Sequence, residues 1–144
     1  EAGVGLVQMP CPELMIMGLD RQVNRAAVTT IEAEDTRVGW RMASEAGQAR
    51  CRQMAGDLVF QIEEYLKHGF EVVGVLGING SPTCGVELSW FDDGERPDAG
   101  VFVRLLREAL AARGLDVPIR GVKAYEPARA VAAVQALLDR PLQT

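Results

Sequence analysis

Hydrophobic and polar positions along the chain divide it into short apolar runs and longer segments with helical periodicity. Runs typical of buried strands occupy residues 4–9, 72–78 and 117–122. Residues 46–68 and 100–113 place their apolar side chains on one helical face, and Pro127 opens a final helix. Strands separated by helices of this length predict a mostly parallel sheet with helices on both faces. We therefore expect an α/β fold, a three-layer sandwich of the Rossmann-like or flavodoxin-like kind.

Two stretches and the start of the chain are less regular. Residues 19–45 mix polar and apolar positions and are interpreted as one short helix plus a loop, while residues 92–98 read as a polar surface loop. Since no linker or repeat divides the chain, we expect residues 1–144 to form a single domain.

Residues 1–3, at the start of the chain, resemble the last turn of a helix capped by glycine. We expect the natural protein to begin earlier, with a helix and a strand before residue 1; a cleaved tag is the alternative.

Composition and charge narrow the class of protein. The chain is 48% hydrophobic and 24% charged, as in ordinary globular domains, and its net charge of -5 gives no basic surface for nucleic acid. No apolar run reaches the roughly 18 residues of a membrane span, and none resembles a signal peptide. Three cysteines without a dense disulfide pattern favour a reducing compartment, so we expect a cytoplasmic protein. The single histidine, His68, excludes a histidine-rich zinc site.

Cys11 and Cys84 are the strongest candidates for chemistry. Each lies in a turn directly after a strand-like run, within Cys11-Pro12-Glu13 and within Ser81-Pro82-Thr83-Cys84-Gly85. Proline restricts both turns, and Gly85 permits close approach of a bulky group. Ligands of open parallel sheets bind outside the carboxyl ends of the strands. The two thiols could therefore face one site; a structural role for both is the alternative.

The other candidates each have two readings. Cys51 lies on the apolar stripe of its helix and is either a buried hydrophobe or a ligand. Glu13 would share the site of Cys11 as a general acid or base, or would interact with a helix N-terminus. Ser81 either donates a hydrogen bond to a substrate or stabilises its turn. Residues 19–45 either shape a substrate pocket, with Trp40 and Arg41 as candidate contacts, or form a surface loop.

The motifs together resemble a known family. Residues 8–13, Gln-Met-Pro-Cys-Pro-Glu, and residues 77–86, Gly-Ile-Asn-Gly-Ser-Pro-Thr-Cys-Gly-Val, resemble those of bacterial proteins related to 2-thiouracil desulfurase, a group of iron–sulfur desulfidases. The resemblance covers about residues 4–90. It implies a [4Fe–4S] cluster held by three cysteines, whose open fourth iron takes sulfur from a thiocarbonyl substrate.

Residue by residue, the resemblance implies that Cys11 and Cys84 are cluster ligands. It also implies that Glu13 transfers protons and that Ser81 positions substrate or water. Members of the family carry a further cysteine near their N-terminus, in a segment that has no counterpart here. Within this chain Cys51 is the remaining thiol for the third position.

The resemblance implies a desulfidase that acts on a small thiolated compound, with a thiolated nucleobase as the expected substrate. The rival is a non-catalytic module in which thiolates bind zinc, sense redox state or hold a small molecule. Tetrahedral sulfur sites suit both zinc and iron–sulfur clusters, so the sequence leaves this choice open. A purely structural α/β domain is the third possibility.

Overall fold

Helices account for most of the regular secondary structure in the computed structural model, which describes residues 3–140. In chain order the elements are α1 (Pro12–Met17), α2 (Ile31–Ala43), α3 (Glu45–Lys67), β1 (Val75–Ile78), β2 (Ser89–Phe91), β3 (Gly94–Arg96), α4 (Val101–Ala112), β4 (Ile119–Val122) and α5 (Pro127–Leu138). Side-chain caps explain two of the helix starts: Thr30 Oγ1 accepts from the Ala33 amide (3.1 Å), and Ser44 Oγ accepts from the Gly47 amide (3.2 Å). Glu1 and Ala2, which we expected to end a helix, lie outside the described residues.

The parallel pairing of β1 with β4 defines the fold class. Val75 lies opposite Ile119 and Ile78 lies opposite Val122, and between these strands the chain passes through α4. Parallel strands need such a long crossover. This arrangement is a mixed helix and strand fold with a small parallel sheet, which is consistent with the expected α/β class. Within residues 3–140 the parallel sheet has two strands, so the larger three-layer sandwich stays a prediction.

The core lies between α3, α4 and one face of the parallel strands. Met42, Cys51, Ala55 and Leu106 are completely buried there, and Val75 and Ile119 contribute from the sheet. Burial of this continuous apolar surface is the main stabilising term for such a domain. On the other face of β1, Leu76 and Ile78 are 38% and 52% exposed. The sheet therefore has one covered face and one largely open face along β1.

The prediction of a first strand over residues 4–9 is wrong. Residues 4–9 form neither helix nor strand, and most of their side chains are exposed, with Leu6 at 93%. An apolar run becomes a strand only where neighbouring backbone supplies hydrogen-bond partners. Within residues 3–140 no strand pairs with this segment. Apolar composition alone therefore does not determine its conformation.

The prediction of a polar surface loop over residues 92–98 is also wrong for most of its length. Residues 92–96 belong to an antiparallel hairpin in which Phe91 of β2 lies opposite Gly94 of β3. Asp92 turns the chain with a positive φ of 53°, a conformation that aspartate adopts more readily than most residues. β3 reads Gly-Glu-Arg, so it has none of the apolar alternation by which strands are recognised in a sequence.

Candidate functional site

Asn79 organises the loop that carries Cys84. The Asn79 side-chain oxygen, at the end of β1, accepts hydrogen bonds from the backbone amides of Val86 (3.0 Å), Glu87 (3.1 Å) and Leu88 (3.4 Å). Its amide nitrogen donates to the Glu87 carboxylate (2.8 Å). One side chain thereby closes a loop of ten residues, from Asn79 to Leu88, over the end of the strand. The turn that the Asn-Gly pair predicts is built in this way.

Ser81 closes the inner turn of the same loop. Its Oγ accepts from the backbone amides of Thr83 (3.1 Å) and Cys84 (3.0 Å). The Cys84 carbonyl in turn accepts from the amide of Ile78 (2.9 Å). A side chain at Gly85 would collide with the carbonyl oxygen of Leu88, so this position requires glycine. The turn therefore fixes the backbone from which the Cys84 thiol projects.

The loop also begins α4. The amides of Val101 and Phe102 donate to the carbonyls of Pro82 (3.2 Å) and Thr83 (3.0 Å), and the Gly100 amide donates to the Gly85 carbonyl (2.9 Å). These are the amides that a helix N-terminus otherwise leaves without partners. The cysteine loop and the central helix are thus one rigid unit.

Cys11 and Glu13 lie at the start of α1, a separate element of the fold. Cys11 is the exposed N-cap of α1, and Pro12 takes the first helical position. Glu13 is buried, and its Oε2 lies 2.8 Å from Arg21 Nε. The Arg21 carbonyl accepts from the Arg37 guanidinium (2.6 Å), which joins this region to α2. The expected Cys-Pro-Glu turn is therefore the first turn of a short helix.

Electrostatic interactions link several of the predicted residues. Burial, followed by the charge of Glu13, raises the pKa of the Cys51 thiol to about 11. Burial raises the pKa of Cys84 to about 12, and the charges of Glu13, Cys11 and Cys51 add to the effect. Each of these groups is therefore within electrostatic range of Cys84. Three elements that are distant in sequence therefore contribute groups that interact electrostatically with Cys84.

The donor set fits an iron–sulfur cluster in chemical type. Thiolates are the usual ligands of such clusters, and each thiolate binds a different iron, so the sulfur atoms need not converge on one point. Within residues 3–140, no group of three or more His, Cys, Asp or Glu side chains is arranged to hold a metal ion. Beside Cys84, the hydroxyl of Thr83 is completely buried, and no group in the described part of the chain hydrogen bonds to it.

Asp35 is a site residue that the sequence did not indicate. It is a half-buried carboxyl on α2, and burial raises its pKa, with a further contribution from the charge of Glu13. Arg21, which pairs with Glu13, lowers the same pKa but does not cancel the increase. No sequence signal distinguishes Asp35 from Glu32 and Glu34 in the same helix, because only the tertiary fold brings it near Glu13.

A groove of about 730 Å³ separates α2 from the β2–β3 hairpin. Trp40, one of the candidate substrate contacts, lines it, together with Thr36 and Trp90. Arg41, the other candidate, is exposed and does not line the groove. The contribution of Trp90 could not be foreseen, because the hairpin that presents it was not predicted.

Comparison with known proteins gives one distant relative and no family. The chain is 28% identical over 82 residues to the uncharacterized protein MJ0003 of Methanocaldococcus jannaschii. The match covers 57% of this chain but 44% of that protein, so the chain spans less than half of its relative. No family model matches, and no solved structure matches significantly.

None of the helices within residues 3–140 has the length and apolar character needed to cross a membrane.

Proposed function

We propose that this chain is a desulfidase domain that uses a [4Fe–4S] cluster to remove sulfur from a small thiolated compound, with a thiouracil-like nucleobase as substrate. Cys11, Cys51 and Cys84 are the proposed ligands. We propose that the domain is cytoplasmic. We also propose that its fold is a three-layer α/β sandwich that includes β1 and β4. The observation that carries it is that Cys11 and Cys51, from two other elements of the fold, both contribute to the raised pKa of Cys84.

The chemistry of the ligands supports this assignment. Without a metal, burial and the neighbouring negative charges keep Cys51 and Cys84 protonated at neutral pH. Bound iron would supply the positive charge that favours both thiolates, since metal binding and thiol deprotonation are linked. When bound, the cluster supplies an open iron that acts as a sulfur acceptor.

The reaction that balances without an added oxidant or reductant is hydrolysis. Thiouracil and water give uracil and hydrogen sulfide, as the C=S bond is replaced by C=O. Glu13 removes a proton from the attacking water and returns it to the departing sulfur; its salt bridge with Arg21 holds the carboxylate in place. Ser81 Oγ already accepts two backbone bonds, so its O–H proton is available to hold the water or the substrate oxygen.

The test is sulfide release from 2-thiouracil by protein reconstituted with iron and sulfide under anaerobic conditions. We expect turnover by the native chain, and at least about a hundredfold slower turnover for Glu13→Gln with unchanged iron content, as for the loss of a general acid–base group. Glu71→Gln is the matched control, because Glu71 is exposed and precedes β1, at the end away from Cys84. No sulfide release by iron-loaded native protein would overturn the proposal.

The binding-module rival predicts a different result in the same preparation. It expects zinc in place of iron, a colourless protein and no sulfide release. A brown anaerobic preparation that loses its colour in Cys84→Ser favours the desulfidase.

A further inference from the structure

Both tryptophans of the chain line the groove between α2 and the β2–β3 hairpin. Trp40 and Trp90 are the only two in the sequence; one lies on the helix and the other on β2. The volume of about 730 Å³ is within the range of small-molecule sites. Aromatic side chains in an open groove are suited to a flat ring.

Hydrogen bonds hold both indole rings in place. Trp40 Nε1 donates to Asp92 Oδ1 (3.0 Å), and Trp90 Nε1 donates to Thr36 Oγ1 (2.9 Å) and to the Asp92 carbonyl (3.2 Å). Thr36 also donates to that carbonyl. Trp40 nevertheless remains 61% exposed. Its polar atom is satisfied within the protein, so the surface that it offers is the apolar face of the ring, and covering that face is favourable.

The charges around the groove indicate an uncharged ligand. Both guanidinium groups of the lining are engaged by carboxylates: Arg37 by Glu34 (2.9 Å), and Arg96 by Asp92 (3.7 Å) and Asp93 (4.0 Å). The charged side chains of the lining, Glu32, Asp92, Asp93, Arg37 and Arg96, comprise three carboxylates and two guanidinium groups, so the lining has a net negative charge. The additional carboxylate of Glu32 in the lining repels anions.

The groove is joined to the Cys84 loop by direct packing. Gly39 of α2 is so close that a side-chain carbon there would lie 3.4 Å from Pro82 and 3.8 Å from the carbonyl of Trp90. Pro82 precedes Cys84 by two residues, and α2 also carries Asp35, which feels the charge of Glu13. The groove and the Cys84 loop therefore share α2 as a common neighbour.

We propose that this groove binds an uncharged heterocyclic ring beside the Cys84 loop, with Trp40 as the stacking platform and Trp90 as a second aromatic side chain of the lining. A free nucleobase or a similar neutral ring fits the charge of the lining better than a nucleotide does. The choice of ring rests on the proposed function; the binding itself requires no iron.

The experiment uses the intrinsic fluorescence of the metal-free chain, all of whose tryptophan emission arises in this groove. Uracil is added while tryptophan is excited at a wavelength that uracil does not absorb, and calorimetry provides a second measurement. We expect saturable quenching by uracil. Trp40→Ala should weaken binding by about tenfold or more, the usual size of a base-stacking contribution, with Trp90 as the remaining reporter. Trp40→Phe should retain most of the affinity, and thermal unfolding checks that both variants are folded.

Uridine monophosphate separates a base site from a nucleotide site. We expect it to bind more weakly than uracil because the lining repels its phosphate. Equal or tighter binding of the nucleotide, an absence of saturable uracil binding, or unchanged uracil affinity in Trp40→Ala would each overturn the inference. Sulfide release by loaded protein whose metal-free form binds no uracil would overturn this inference and leave the proposed function standing. Uracil binding with no sulfide release would overturn the proposed function and leave this inference standing.

Discussion

The two cysteine motifs have the same sequence pattern and opposite structural surroundings. Each is an apolar run followed by a proline-restricted cysteine turn. Around Cys84, the run forms β1 and the loop is closed by the side chains of Asn79 and Ser81. Around Cys11, the preceding residues 4–9 are exposed and form no strand.

The difference shows what an apolar run requires before it becomes a strand. β1 has β4 beside it and the core beneath it, so its backbone groups are bonded and Val75 is buried. Residues 4–9 have no neighbouring strand within the described part of the chain. We therefore expect changes in the Cys84 motif to alter stability strongly and equivalent changes before Cys11 to alter it little.

The largest contrast is expected in thiol reactivity. In the metal-free protein, the exposed Cys11 should be alkylated first, whereas burial raises the pKa of Cys84 from 9.0 to about 12. Three pKa units reduce the thiolate fraction roughly a thousandfold at neutral pH, and the thiolate is the reactive form. Peptide mass spectrometry after timed iodoacetamide treatment measures the order. Alkylation of Cys84 at the rate of Cys11 would show that the two thiols are equally accessible.

The next contrast compares two glycines. Gly85→Ala should reduce the free energy of unfolding by about 3 kcal/mol, because the added carbon meets the backbone of Ser81 and Leu88 in a loop that cannot move away. Gly5→Ala should change it by less than about 0.5 kcal/mol, since nothing lies within 4 Å of the added carbon. Urea unfolding of both variants measures the difference. Equal stabilities would contradict the rigid loop.

A smaller effect is expected for a side chain that supports the loop. Asn79→Ala removes an acceptor from the amides of Val86, Glu87 and Leu88 and should cost about 2 kcal/mol. Gln8→Ala is the matched control, because the amide of Gln8 makes an exposed bond of 3.4 Å to its neighbour. We expect the free energy of unfolding of the control to fall by less than about 0.5 kcal/mol. Comparable decreases in the two variants would show that the Cys84 loop is no more dependent on its side-chain hydrogen bonds than the segment before Cys11.

The smallest effect concerns the carboxyl group of Asp35. Because burial and Glu13 raise its pKa above the ordinary 3.8, its ionised form destabilises the folded state at neutral pH. Asp35→Asn should therefore stabilise the protein at neutral pH, by less than about 1 kcal/mol for a partly exposed group. The advantage should shrink as the pH falls through the raised pKa and be lost below 3.8. Unfolding measured across pH tests this; a constant difference would contradict the assignment.

Much of the helical framework could be predicted from the sequence, for reasons visible in particular residues. The stripe containing Cys51, Ala55 and Ile62 predicts α3, and these residues are buried in the core. Likewise, Pro127 begins α5 as predicted. Such signals are local, since helical periodicity and first-turn proline act within one element.

The parts that could not be predicted depend on contacts between distant segments. The β2–β3 hairpin has too few apolar positions to be recognised, and its partner helix α2 lies some fifty residues earlier, so the groove between them had no sequence signal. Arg21 and Asp35 join Glu13 only through the tertiary fold. The candidate thiols were predictable as residue types, whereas the interactions of Cys51 with Glu13 and Cys84 are properties of the structure.

The most direct test of the central claim is the number of iron and sulfide ions bound after anaerobic reconstitution, compared among the native chain, Cys11→Ser, Cys51→Ser and Cys84→Ser. We predict about four of each ion per native chain, with a broad absorbance near about 400 nm, and strong loss in all three variants. Native-like iron content in Cys84→Ser, or no iron in the native chain above the level of that variant, would contradict the account.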